Sequence, residues 1–118
     1  NLKLAKLISK LQEKEKINPK IFIQVNIGNE IQKNGIELED LNLFYNECTN
    51  NLELNIIGFM CLPPSDKNPS KYFKLMKELI TNYNLKDLSM GMSGDYLEAI
   101  KHKSTYLRIG SSIFGSRN

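Results

Sequence analysis

Four short apolar runs alternating with four stretches of helical spacing set the terms on which this chain can fold. Leu2, Leu4, Leu7, Ile8 and Leu11 fall near a helical repeat, so residues 2–15 read as an amphipathic helix, stopped by Asn18-Pro19. The run Ile21-Phe22-Ile23-Gln24-Val25-Asn26-Ile27 is β-branched and nearly continuous in apolar character, as expected of a parallel strand covered on both faces; Gly28 ends it. Leu38, Leu41, Phe44, Tyr45 and Cys48 predict a helix over 37–51. A second strand over 54–62 closes at Pro63-Pro64, and Gly58 inside it marks close approach of another backbone. Ser70 reads as the cap of a helix that carries Tyr72, Phe73, Leu75, Met76, Leu79 and Ile80 and ends at 82–84. A brief strand over 86–90 feeds a helix running to about His102, and a last strand covers 105–109.

This order predicts right-handed β-α-β units and a parallel sheet. Four units in 118 residues fit a small open α/β sheet or half of an eight-stranded barrel, which as a whole takes about 250 residues. The loops after the last two strands favour the half-barrel. Leu88-Ser89-Met90-Gly91-Met92-Ser93 and Arg108-Ile109-Gly110-Ser111-Ser112-Ile113-Phe114-Gly115 are apolar runs that turn into small residues, whose backbone N–H groups can come close to an anion. Gly91 and Ser93 precede a helical stretch from Asp95, where free N–H groups and the helix dipole attract phosphate. Arg108 adds a cation, and residues 112–115 can form an extra turn. Barrels often hold phosphate at this place.

Composition mainly excludes. With 41% hydrophobic and 25% charged residues and no long apolar run, the chain reads as a soluble domain without a membrane span, and a net charge of +3 is too slight for a nucleic-acid binder. Cys48 and Cys61 form no C-x-x-C pair and suit a reduced, cytoplasmic setting. His102, the single histidine, lies between Lys101 and Lys103 and reads as a surface residue at a helix end, so neither a triad nor a zinc set is expected. The chain opens on Asn1 rather than Met, and an upstream segment is expected. Glu30 and Lys33 follow the first strand, where α/β folds keep their chemistry; the alternative is a weak surface pair. Met60 closes the second strand, either as core or facing a ligand.

Lys3-Leu4-Ala5, Gln24-Val25-Asn26, Glu30 with Lys33 and Gly35, Gly58-Phe59-Met60 with Pro63, and the two closing motifs together resemble one family. It is the pyridoxal phosphate homeostasis proteins, single-domain relatives of the barrel domain of alanine racemase, and the resemblance is to their C-terminal half. The resemblance implies that residues 1–118 form the C-terminal half of a TIM-type (β/α)8 barrel of the alanine racemase N-terminal-domain type. It implies pyridoxal 5'-phosphate as cofactor, with Ser93, Gly110 and Ser111 on the phosphate, Arg108 facing the pyridine nitrogen, and Met60, Ser89 and Lys33 as accessory residues. An arginine at that nitrogen keeps it unprotonated and weakens the ring as an electron sink, which suits a carrier or buffer better than an enzyme. The family's Schiff-base lysine lies on the first barrel strand, in the half not represented here, so binding by this chain would be non-covalent. Two alternatives stand beside this reading: a racemase-like enzyme using Glu30, Lys33 or Tyr96 as acid or base, and a structural half-barrel whose loops are only tight turns. A half-barrel with two unpaired edges should self-associate or pair with the missing N-terminal half.

Overall fold

The computed structural model describes residues 1–30, 35–64 and 68–114, apart from the side chains of Ser112 and Phe114. Lys33 and Gly115 therefore lie outside the described residues. The elements are α1 (Leu2–Glu15), β1 (Lys20–Gln24), α2 (Leu38–Asn46), a π-helical turn (Glu47–Asn51), β2 (Asn55–Met60), α3 (Pro69–Asn82), β3 (Asp87–Met92), α4 (Tyr96–Lys101), β4 (Tyr106–Arg108) and α5 (Ser111–Phe114). Asn1 caps α1 by accepting from the Leu4 N–H at 2.8 Å, and Lys16 ends the helix in the left-handed region. At the far end of α2 the Thr49 hydroxyl donates to the Tyr45 carbonyl at 2.9 Å, a side-chain bond that competes with the helical ladder as it widens into the π-helical turn.

All strand pairs are parallel, in the order β1-β2-β3-β4, as the alternation predicts. Gly58 lies where β2 passes β3: a Cβ there would overlap the Asp87 carbonyl, which is the close approach the sequence marks. The choice between an open sheet and a half-barrel is settled by one contact. Phe22 on β1 and Tyr106 on β4 meet edge to face with ring centroids 5.1 Å apart. In a flat sheet, strands three places apart would lie about 14 Å from one another. The sheet is therefore curled, with these two rings on its concave side.

Alternation along each strand then sorts the two faces. Ile23, Val25, Phe59, Cys61, Leu88 and Met90 turn outward beneath the helices and are buried with Leu41, Phe73, Met76 and Ile80. Phe59 sits in an aromatic cluster with Tyr45 and Tyr83, at 6.2 and 5.1 Å between centroids, which ties α2 and the end of α3 to the sheet. Phe22, Met60, Ser89, Tyr106 and Arg108 take the alternate positions on the concave side.

Three local differences have physical reasons. β1 stops at Gln24, short of Ile27, because Val25 bridges to Ile36 and the Asn26 side chain turns to the following loop. β3 runs on to Met92, so Gly91 lies in the strand; it has φ +104°, and a Cβ there would stand 2.6 Å from the Ala99 methyl. The cap of α3 is Asn68 with Pro69 behind it, whereas Ser70 lies inside the first turn and its hydroxyl pairs with His102 Nε2 at 2.6 Å. His102 is thus half-buried and partnered rather than a plain surface residue.

Candidate functional site

Met92 and Arg108 are register partners at the ends of β3 and β4, so the two small-residue loops leave the sheet side by side. Ser104 and Thr105 fix this corner. The Ser104 hydroxyl lies 2.6 Å from the Met90 carbonyl and 3.0 Å from that of Tyr106. The Thr105 hydroxyl accepts from the Leu88 N–H at 2.8 Å. These side-chain bonds stand in where the ladder between β3 and β4 is irregular. Asp95 organises the next turn by accepting the Met92 N–H at 2.8 Å on Oδ1, before α4 starts at Tyr96.

Arg108 reaches across the concave side. Its Nη2 donates to the Cys61 carbonyl at the end of β2, 2.9 Å away, and lies 3.4 Å from the Ser89 carbonyl on β3. Its Nε is buried with no hydrogen-bond partner among the described residues. Burial lowers the guanidinium pKa from its ordinary value, against the opposing pull of the Asp95 carboxylate; arginine remains charged regardless. The cation is held by neutral carbonyls, and no carboxylate forms an ion pair with it among the described residues.

Of the other sequence candidates, Ser93 is half-buried in the turn after β3. Gly110 opens the turn into α5 with nothing within 4 Å of where a Cβ would stand, and the Ile113 N–H closes that turn onto its carbonyl at 3.0 Å. Ser111 is exposed at the first residue of α5. Met60 and Ser89 are register partners on the concave side, Ser89 being 7% exposed. Arg108, Ser89 and Met60 are thus drawn together, with both loops opening beside them. Glu30 and Tyr96 belong to different strand ends. The Glu30 N–H donates to Asn26 Oδ1 at 3.1 Å, and Glu30 Oε1 is buried with no hydrogen-bond partner among the described residues.

Several residues that shape the site carry weak sequence signals. Asn26 is 4% exposed and donates to the Glu30 carbonyl at 2.6 Å and to Glu37 Oε1 at 3.0 Å; an amide inside an apolar run was its mark besides the Gln24-Val25-Asn26 resemblance. Cys61 contributes its carbonyl, and burial pushes its thiol up to about 12, so it stays protonated rather than becoming a nucleophile. Among the described residues no cluster of three or more His, Cys, Asp or Glu can hold a metal ion, and no helix is long and apolar enough to cross a membrane.

A curled parallel sheet with helices on its outer face, and with a guanidinium and two small-residue loops at the carboxyl ends of its strands, defines a class, the α/β-barrel modules. Within that class, residues 1–118 match the alanine racemase N-terminal domain family, and the chain belongs to it. It is 36% identical over 123 residues to the pyridoxal phosphate homeostasis protein of Aquifex aeolicus, covering 97% of this chain and 54% of that one. To the protein of the same name in Haemophilus influenzae it is 34% identical over 127 residues, with the same coverage. Among solved structures, PipY of Synechococcus elongatus without PLP matches with a TM-score of 0.84 at 25% identity, covering 98% of this chain and 58% of that chain. PipY has also been solved with PLP bound, and that structure shares the fold with a TM-score of 0.82. The chain spans about half the length of the relatives it matches.

Proposed function

We propose that this chain is the C-terminal half of a pyridoxal 5'-phosphate carrier and buffer, and that it receives the cofactor non-covalently at the ends of β3 and β4. The observation that carries the reading is the placement of Arg108. A guanidinium that crosses the concave side on two neutral carbonyls, with a buried Nε left over, fits an electron-rich partner that the described residues do not supply. The open space at Gly110 and the hydroxyls of Ser93 and Ser111 fit a phosphate beside it. In this reading Ser93, Gly110 and Ser111 hold the phosphate and Arg108 faces the pyridine nitrogen, with Met60, Ser89 and Lys33 as accessory residues. Because α4 has only 6 residues, its dipole adds little, and the hold on phosphate rests on local N–H and hydroxyl donors.

The cofactor, when bound, supplies an aldehyde and a ring that draws electrons when its nitrogen is protonated. A permanently cationic Arg108 opposes that protonation, so this half-site orients the cofactor without activating it. The anchoring lysine belongs to the half that this chain does not represent. Relatives are named for homeostasis rather than for a reaction, which supports a carrier over a racemase-like enzyme using Glu30, Lys33 or Tyr96. Two free, buried cysteines support a cytoplasmic setting. Titrating the chain with pyridoxal 5'-phosphate and then reducing with borohydride tests the reading. Reversible binding that leaves no adduct is expected. Absence of binding, or a reduced adduct on one of this chain's lysines, would overturn it.

A further inference from the structure

We propose that Asp95 sets how tightly the phosphate is held: one hydrogen bond from its side chain shapes the loop after β3, while its charge opposes the anion that the loop receives. The inference deepens the pyridoxal 5'-phosphate reading and rests on it. What carries it is the direction in which the side chain turns. Asp95 stands at the N-cap of α4, where an aspartate ordinarily accepts an N–H of the helix's first turn, yet its side chain makes no such bond. Oδ1 turns back instead and accepts the Met92 N–H at 2.8 Å, while the Asp95 N–H donates to the Met92 carbonyl at 3.1 Å. The two bonds close residues 92–95 into a tight turn with Ser93 and Gly94 at its tip.

That turn carries Ser93, one of the residues assigned to the phosphate, and leaves Gly94 exposed with nothing within 4 Å of where a Cβ would stand. Met92 is also the register partner of Arg108, so the carboxylate is tied to the last residue of β3, with the strand that bears the cation about 5 Å to one side. The same bond does two things. It engages the Met92 N–H within the chain, so that this donor is not given to a ligand. It also holds a negative charge at the rim of a loop that receives a phosphate, itself carrying about −1.5 to −2 at neutral pH.

Among the described residues no cation pairs with Asp95; the ion pair there joins Lys101 to Glu98, farther along α4. The charge is felt inside the sheet as well. Burial is the largest cause at both Arg108 and Cys61, lowering the guanidinium and raising the thiol, and the Asp95 carboxylate raises both. A like charge at the mouth of a half-solvated site weakens anion binding severalfold. Arg108 therefore draws the anion in and Asp95 limits how firmly it stays, which suits a carrier that has to let its cofactor go.

Isothermal titration of the 118-residue chain with pyridoxal 5'-phosphate, inorganic phosphate and pyridoxal tests this. Asp95→Asn keeps an oxygen for the Met92 N–H and removes the charge. It should bind pyridoxal 5'-phosphate and inorganic phosphate about 3- to 10-fold more tightly than the unsubstituted chain, and pyridoxal, which lacks the phosphate, within about twofold. Asp95→Ala loses the bond as well as the charge. It should bind pyridoxal 5'-phosphate at least about threefold more weakly than Asp95→Asn, with faster hydrogen exchange at the Met92 amide. Glu98→Gln removes a carboxylate from the next turn of α4 and should leave the three affinities nearly unchanged. Asp95→Asn binding no tighter than the unsubstituted chain, Glu98→Gln tightening binding as much, or Asp95→Ala matching Asp95→Asn in affinity or in Met92 exchange would each overturn the proposal and leave the pyridoxal 5'-phosphate reading standing. Absence of binding by the unsubstituted chain would overturn that reading, and this inference with it.

Discussion

At the end of β1 the buried polar atom left without a partner among the described residues is an acceptor, Glu30 Oε1, whereas at the ends of β3 and β4 it is a donor, Arg108 Nε. Asn26 is nearly solvent-free and spends its amide on the Glu30 backbone and the Glu37 carboxylate. Arg108, at the far side of the sheet, meets only neutral carbonyls and keeps a buried N–H in hand. The described part of the first corner is tied together through Asn26 and is rich in acceptors. The second is cationic, with open space at Gly110. Both corners lie at strand carboxyl ends, where barrels keep their ligands, and among the described residues the buried donor left without a partner lies in the second.

The largest effect is expected from a variant of the corner at the end of β1. Asn26→Ala removes three hydrogen bonds from a buried position, at a cost of about 2–4 kcal/mol of stability. Urea unfolding should show that loss, with affinity for pyridoxal 5'-phosphate at low temperature unchanged. Arg108→Gln should show the reverse pattern: affinity falls about 10- to 100-fold, the equivalent of a lost charge-assisted bond, with a smaller change in urea midpoint. If Arg108→Gln leaves affinity intact, the cationic corner is not the site.

A pH series sharpens the comparison at the residue between the corners. Burial raises the Cys61 thiol in the folded chain from the ordinary 9.0 to about 12. The folded state therefore keeps a proton that the unfolded state gives up, so the associated stability is complete below pH 9 and is lost as pH rises toward 12. The fall should approach about 1.4 kcal/mol per pH unit, and Cys61→Ala, which keeps the carbonyl that Arg108 uses, should flatten it. The smallest effect is expected at Gly110, where open space lets Gly110→Ala leave stability within about 0.5 kcal/mol while lowering affinity severalfold. Isothermal titration with the cofactor reads the affinity, and urea unfolding reads the stability.

Much of the frame was legible because it is local. Apolar spacing at Leu2, Leu4, Leu7, Ile8 and Leu11 sets α1, and Gly58 announces a contact that any side chain would block. The curl of the sheet was not legible in the same way, since it depends on Phe22 meeting Tyr106 from the far end of the chain. Arg108 stood out as a cation in a loop motif, but that its head would rest on the Cys61 carbonyl two strands away follows only from the curl. Asn26, Ser104 and Thr105 were hidden for another reason. Their work is to satisfy backbone groups of neighbouring segments, and nothing in their immediate sequence says which segments those are. The Ser70 pairing with His102 is of the same kind, a bond between two helices that each looked complete.

The central claim is that the corner at β3 and β4 is the half of a pyridoxal 5'-phosphate site carried by this chain. Amide chemical shifts followed by nuclear magnetic resonance during titration with the cofactor test it most directly. The changes should concentrate at Gly91, Ser93, Gly110, Ser111 and the Arg108 side chain, with Asn26 and Glu30 still. Changes centred on Asn26 and Glu30, or none anywhere at saturating cofactor, would contradict it.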